Sequence, residues 1–289
     1  MSSTSSFQLP KAAGQGFQNA SAYDTHRPSY PQEAVTPFLS ALELLGKRNA
    51  KILEIAAGTG KFTELLANRD EEFNVTAVEP HGDMRGQLNV KGLKGVNVRD
   101  GHAGRLPAVE QEWADGYIAA QSFHWFANEG TLREAHRVLK NGAGLGAIWN
   151  IEDYNKPRDW KATTKWEEKL NSWIYSISSD GQPRFRDGQW RDALENQKLF
   201  ALPLNEETVK WTVWLSEEAL WSRINTLSQV VILEGSNREA AVKVFKDVLR
   251  SPDVERNDNG EIALHGVTYF VWTKKFNSRD SIATNPEIP

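Results

Sequence analysis

No cysteine occurs anywhere in this chain. That absence excludes disulfides, thiolate metal sites and cysteine nucleophiles together. Long apolar runs are missing too, and no stretch nears the roughly 20 residues that a membrane span needs. Nor is there an excess of positive charge: 34 Lys and Arg stand against 38 Asp and Glu, a formal net charge of −4. Nucleic-acid binding rests on many Lys and Arg contacts to phosphate, so such a balance argues against that partner. The opening residues, MSSTSSFQLPKAAGQGF, have neither the charged start nor the apolar block of a secretion signal. A cytoplasmic protein with no membrane and no nucleic-acid partner is the expectation. His81, His102, His124 and His136 lack tight ligand spacing, so no metal site is expected.

What is present is an ordinary globular composition, 39% hydrophobic and 25% charged over 289 residues. Residues 1–16 read as a disordered tail and 17–48 as an N-terminal lid and helix. From 49 to 151 strand-like and helix-like runs alternate, the pattern of a parallel α/β sheet. Strands are expected at Ala50–Ile55, Asn74–Glu79, Gly95–Val98, Tyr117–Ala120 and Ala143–Trp149. Helices are expected at Lys61–Asn68 and at Asn128–Leu139, the latter stopped by Asn141-Gly142. The pattern then breaks. Residues 152–207 read as a helical substrate-cap insertion, with helices around Trp160–Ile177 and Gln189–Asn196. Residues 208–278 carry strands at Thr208–Leu215 and Ile262–Phe276, joined by helices opened by Ser216 and by a capping box at Ser236-Asn-Arg-Glu239. Residues 279–289 form a tail. Five βα steps plus two strands predict a seven-stranded α/β sheet with helices on both faces.

The stretch LEIAAGTGKFT, residues 53–63, puts a glycine turn after a strand. Such a turn aims free N–H groups at a ligand beside the strand's carboxyl end. A dinucleotide site wants a small residue three places after the second glycine. Here Lys61, Phe62 and Thr63 follow Gly60. Glu54 stands two residues before the turn; it would repel a pyrophosphate and attract an ammonium group. Glu79 ends the second strand, 19 residues after Gly60, where an acid commonly takes both ribose hydroxyls. Together these features describe S-adenosylmethionine better than NAD, with a bare βα turn as the plain alternative.

The ordered set E-x-A-A-G-T-G, V-E-P-H-G-D-M, R-L-P and Q-S-F-H-W-F resembles the class I S-adenosylmethionine-dependent methyltransferases. The closest resemblance is to the trans-aconitate methyltransferase-like group, which includes the fungal cantharidin-resistance methyltransferases; Y-D-T-H-R-P-S-Y-P (Tyr23–Pro31) fits that group as well. The likeness implies a Rossmann-like fold in which Glu54 and the turn Ala56, Ala57, Gly58, Thr59 and Gly60 hold the methionine end of the cofactor. It implies Glu79 on the ribose, Pro80 and Met84 beside the adenine, and Gln121 and Ser122 near the sulfonium. Tyr23 and Arg27 would cap the cofactor, in a segment, 17–31, expected to order on binding. Two positions depart from the family's pattern: His102, beside Ala103, stands where an acid often meets the adenine amino group, and Ala56 replaces the usual first glycine. Alanine is tolerable there if φ is negative.

Transfer from a sulfonium asks mainly for proximity and alignment. A carboxylate acceptor needs no base, a thiol little help and an alcohol real help. His124 and Tyr23 are the candidate catalytic residues, with Glu152 and Asp153 as further acids after the fifth strand and His265 read as structural. Eight of the 11 tryptophans follow residue 150. They read either as core and amphipathic helices or as an aromatic wall around a flat ligand. On the second reading Trp125, Trp149, Trp160, Trp166, Arg184 and Phe185 would line the acceptor site, with Trp173, Trp190 and Arg186 in the same region. The group resembled acts on small molecules at oxygen, sulfur or carboxylate in detoxification and secondary metabolism, and some fungal relatives methylate the dithiols of epidithiodioxopiperazines such as gliotoxin. The product would be S-adenosylhomocysteine. A nicotinamide-dependent oxidoreductase and a methyltransferase fold repurposed as a non-methylating protein are the alternatives; the sequence does not choose between monomer and dimer.

Overall fold

A computed structural model describes residues 28–177 and 181–276. One seven-stranded sheet runs through it in the order β3-β2-β1-β4-β5-β7-β6. Its strands are β1 (Lys51–Ile55), β2 (Asn74–Val78), β3 (Val96–Arg99), β4 (Ala114–Ala120), β5 (Leu139–Glu152), β6 (Asn205–Leu215) and β7 (Ile262–Lys274). The helices are α1 (Gln32–Ala41), α2 (Lys61–Ala67), α3 (Gly82–Val90), α4 (Glu129–Val138), α5 (Lys165–Ser176), α6 (Gln189–Glu195), α7 (Glu217–Ile224), α8 (Ser228–Val231) and α9 (Gly235–Val248). Among the described residues no helix is long and apolar enough to cross a membrane.

The chain divides into two compact units. The first, an α/β unit, comprises Tyr30–Trp149, Gly188–Thr208 and residues 269–276. The second comprises Asn150–Asp187 and Val209–Thr268. Residues 188–207, part of the expected insertion, group with the α/β unit.

In the α/β unit β1 pairs in parallel with β2 and β4, β2 with β3, and β4 with β5. Strands β1 and β2 are apolar and buried along nearly their whole length, as parallel strands covered on both faces are. The order reverses at β1 and β4, and their carboxyl ends make the switch point where open α/β sheets take ligands. Helix α1 lies close against β5. A Cβ on Gly146 would fall 2.6 Å from the Phe38 ring, and one on Gly144 2.7 Å from Leu42. Glycine inside these strands marks that close approach.

Three expected features are corrected by the structure. Asn141-Gly142 does not end a helix: α4 stops at Val138, and Leu139 passes directly into β5. The Ala114↔Leu139 pair is followed by Gly116↔Gly144, a bulge that takes up the Asn-Gly pair inside the strand. The capping box at 236–239 is absent, because α9 begins at Gly235, with Glu234 at its N-cap and no side-chain cap bond. Helix α5 starts at Lys165 rather than near Trp160. Thr164 caps it, and the distant Asp253 carboxylate accepts from Lys165 N at 2.6 Å and Trp166 N at 3.1 Å.

Candidate functional site

The carboxyl ends of β1, β2 and β4 bring together most of the residues expected at the cofactor, all within the α/β unit. Glu54, next to last in β1, is fully buried, and neither carboxylate oxygen has a hydrogen-bond partner among the described residues. Burial pushes its pKa up to about 8, and the nearby Glu79 charge adds to the rise. The Thr63 hydroxyl offsets part of this, although no Glu54–Thr63 hydrogen bond of ordinary geometry forms. A buried carboxyl without a donor is costly unless a ligand supplies one.

The turn that follows is tightly specified. Ala56 has φ +52°, so the condition for a mild replacement of glycine fails: alanine sits here in the left-handed region. Gly58 and Gly60 also have positive φ, and a Cβ on Gly60 would fall 2.3 Å from Leu88 Cδ1. Ala57 N donates to Val78 O at 3.1 Å, stitching the turn to β2. Thr59 is buried within it.

Glu79, just past β2, is buried and receives two backbone donors: Gly58 N to Oε2 at 2.8 Å and His81 N to Oε1 at 2.7 Å. Burial raises its pKa, and these donors oppose the rise. Arg85 completes the arrangement by donating to the Glu79 carbonyl at 2.7 Å, the Pro80 carbonyl at 3.1 Å and Asp100 Oδ1 at 3.1 Å. Sequence reasoning missed Arg85, since it reads as one more surface charge at the start of a helix. Met84 is buried with its sulfur turned toward Gly58. Ala103 is buried, and His102 bridges to Arg105.

At the end of β4, Gln121 also takes a positive φ, 60°, and its N–H donates to Ile148 O at 2.7 Å. Ser122 Oγ donates to Ile55 O at 3.3 Å, tying β4 to the end of β1. Two non-glycine residues at positive φ, Ala56 and Gln121, thus follow adjacent strands, and such strain concentrates at functional sites. His124 lies two residues on, and its Nδ1 accepts from Trp149 Nε1 at 3.1 Å. Its ring leans on Trp125, with centroids 5.4 Å apart. Tyr23 and Arg27 lie outside the described residues.

The aromatic residues expected around the acceptor are divided between the two units. Trp149 is fully buried in the α/β unit, packed on Trp190 with centroids 4.8 Å apart, so it is core and not a ligand surface. Trp166 is fully buried in the second unit, in a core with Leu170, Ile174, Leu220 and Phe245. Trp160 and Phe185 are half-buried and meet edge to face at 5.8 Å in that unit. Arg184 donates to Gln182 O at 3.1 Å and to Gln229 Oε1 at 3.3 Å. Arg186 and Arg158 flank the Tyr175 ring, 4.4 and 4.5 Å from its centroid. Tyr30 is buried edge-on against Phe62 at 5.1 Å.

Known proteins share both the motifs and the fold. A family model described as "Methyltransferase domain" matches residues 53–145. An uncharacterised methyltransferase-like protein of Schizosaccharomyces pombe is 30% identical over 82% of this chain and 86% of its own length. An uncharacterised methyltransferase of Mycobacterium tuberculosis is 28% identical over 86% of this chain and 91% of its own length. The fold is similar to that of a candidate type II methyltransferase from Anaeromyxobacter dehalogenans, with TM-score 0.58, 18% identity, and coverage of 87% of this chain and 99% of the other. It is also similar to that of a [4+2]-cyclase, SpnF, with TM-score 0.51, 15% identity, and coverage of 94% and 99%. Fold alone therefore does not choose the chemistry.

Proposed function

The chain belongs to the class I S-adenosylmethionine-dependent methyltransferases, and from that premise we propose that it transfers a methyl group to an oxygen or sulfur atom of a small molecule. One observation carries the cofactor reading: Glu54 is buried beside the glycine turn, with no donor for either oxygen among the described residues. An ammonium group answers that need, whereas a pyrophosphate would face a buried acid, which disfavours the nicotinamide reading. The donor set fits S-adenosylmethionine. Glu54 and the turn from Ala56 to Gly60 would hold its amino-acid end, and Glu79 its ribose. Pro80, Met84, His102 and Ala103 would hold the adenine, with Gln121 and Ser122 toward the sulfur.

S-adenosylmethionine, when bound, supplies an electrophilic methyl group on a sulfonium whose leaving group is neutral. The chain's own residues then chiefly fix geometry. Gly58 N and His81 N hold the Glu79 carboxylate in place, and Arg85 fixes the carbonyls on either side of the Glu79–Pro80 bond. Ser122 and Gln121 fix the floor between β1, β4 and β5.

For the acceptor, Trp125 supplies half-buried aromatic surface within the α/β unit, which suits a flat or polycyclic molecule. A thiol or dithiol, or a carboxylate, is the acceptor class that the resemblance to the trans-aconitate and cantharidin-resistance group supports, in detoxification or secondary metabolism and in the cytoplasm. Calorimetric titration with S-adenosylhomocysteine and with NAD tests the reading on the wild type and on Glu79→Ala. Tight binding of the first alone, lost in the variant, is expected. Binding of NAD without S-adenosylhomocysteine would overturn it.

A further inference from the structure

The contact between Trp149 and His124 bears on how protons move at this site. An indole N–H can only donate. At 3.1 Å from Trp149 Nε1, His124 Nδ1 must therefore present its lone pair, and in the neutral ring the proton sits on Nε2. The indole itself cannot turn away. Trp149 is fully buried, packed on Trp190 at 4.8 Å and on Tyr269 at 6.2 Å. Those two rings are fixed in turn. The Arg191 guanidinium lies over Trp190 at 5.3 Å and donates to Tyr269 Oη at 2.7 Å, while Tyr269 Oη bonds the Glu206 carboxylate. A stack of three aromatic residues braced by an ion pair thus holds one N–H against one imidazole nitrogen.

His124 lies two residues past Ser122, whose hydroxyl ties the ends of β4 and β1. A general base needs a ring nitrogen with an available lone pair within reach of the proton it removes. In His124 the basic nitrogen is the one engaged by the indole. The nitrogen that bears the proton is a donor.

We propose that Trp149 is a positioning residue that fixes His124 as the Nε2–H tautomer, so that His124 stabilises negative charge and takes no proton, and that acceptors react here already ionised, as thiolates or carboxylates. This rests on the methyltransferase reading of the same site. The acceptor anion donates a lone pair to form its bond to the methyl carbon; the carbon–sulfur bond breaks, its electron pair stays on sulfur, and no proton changes place. Alcohols, which must lose a proton, fall outside the class.

Nitrogen-15 spectra of the histidine side chains test the tautomer without any turnover. At pH 7.5 the His124 signals are expected to show protonated Nε2 and unprotonated Nδ1, and Trp149→Phe is expected to move them toward a mixture of tautomers. An Nδ1–H tautomer or an imidazolium in the wild type would overturn the proposal. Those spectra stand whether or not S-adenosylhomocysteine binds, so failure of the functional reading is seen separately, by titration. His124→Gln keeps a side-chain N–H donor and adds no base. With thiophenol or benzoate as acceptor it is expected to lower kcat/KM by about tenfold, the loss from a displaced donor, against the 10²–10⁴-fold loss that follows removal of a base. Methylation of benzyl alcohol as fast as thiophenol would also sink the proposal.

Discussion

The backbone N–H of Gly58 donates to the Glu79 carboxylate at 2.8 Å, so the turn after β1 and the end of β2 are held by one side chain. The other oxygen of the same carboxylate takes His81 N at 2.7 Å. Glu79 is thus both a ligand candidate and a structural clamp, and the two roles separate by substitution. Glu79→Ala strands two N–H groups, at about 1–3 kcal/mol each if they stay dry. Glu79→Gln keeps one acceptor oxygen but loses the charge. Urea unfolding should show the alanine variant clearly destabilised and the glutamine variant less so, while calorimetry shows S-adenosylhomocysteine binding weakened at least tenfold in both. Full affinity in Glu79→Gln would contradict a carboxylate role in binding.

Ala56 offers a second test. Its φ of +52° is a conformation that costs an L-residue about 1–2 kcal/mol and that glycine adopts without strain. Glycine also frees the unfolded chain, which returns part of the gain. Ala56→Gly is expected to raise the urea midpoint by the equivalent of about 1 kcal/mol with unchanged slope. A lowered midpoint would mean that the alanine methyl makes contacts worth more than the strain.

Much of the α/β unit was legible because its signals are local. The strand, turn and helix from Lys51 to Ala67, and the acid after β2, follow from patterns within a few residues. What stayed hidden depends on partners far away in sequence. The start of α5 is set by Asp253, some 88 residues from Lys165. The tryptophans posed the hardest case. Trp166 and Trp160 lie six positions apart, yet one is fully buried in a core and the other only half-buried, and nothing in local periodicity tells an aromatic that fills a core from one that faces a ligand. Nor could sequence pair the Trp149 indole with His124 across 25 residues. The φ of Ala56 was also unreadable, since alanine itself argues for the opposite sign.

The tryptophan correction has its own test. Trp166→Ala should cost about 3–5 kcal/mol, the usual loss for deleting a buried aromatic side chain. Trp160→Ala, which removes a half-buried ring, should cost much less and lower Tm correspondingly little. Equal destabilisation of the two variants would place Trp160 in the core as well.

In the second unit the buried pair Arg223 and Glu152 meets through Nε and Oε1 at 2.9 Å, and among the described residues Arg223 Nη2 and Glu152 Oε2 have no hydrogen-bond partner. Breaking such a pair strands a charge, whereas replacing both members with apolar residues often costs little. Arg223→Met alone is therefore expected to destabilise by about 3–5 kcal/mol. The double variant with Glu152→Met should recover most of that loss, a coupling that a double-mutant cycle in urea reads directly. Additive losses would mean that each side chain acts through separate contacts.

Glu54 links stability and binding to pH in opposite directions. An ordinary glutamate ionises near 4.5, but in the folded chain Glu54 keeps its proton until about pH 8. Between those values the folded state holds more protons than the unfolded one, so this residue makes stability fall as pH rises from about 4.5, levelling off above 8. Glu54→Gln is neutral at every pH. It should match the wild type near pH 4.5 and exceed it by a few kcal/mol at pH 8, since each pH unit across that interval costs the wild type about 1.4 kcal/mol. Cofactor binding should run the other way. If an ammonium group meets Glu54, the carboxyl must ionise, so binding at pH 7 releases close to one proton and affinity climbs toward pH 8. Calorimetry of S-adenosylhomocysteine in buffers of different ionisation heat measures that proton. No buffer dependence, with affinity unchanged in Glu54→Gln, would show that the buried carboxyl and the cofactor do not meet.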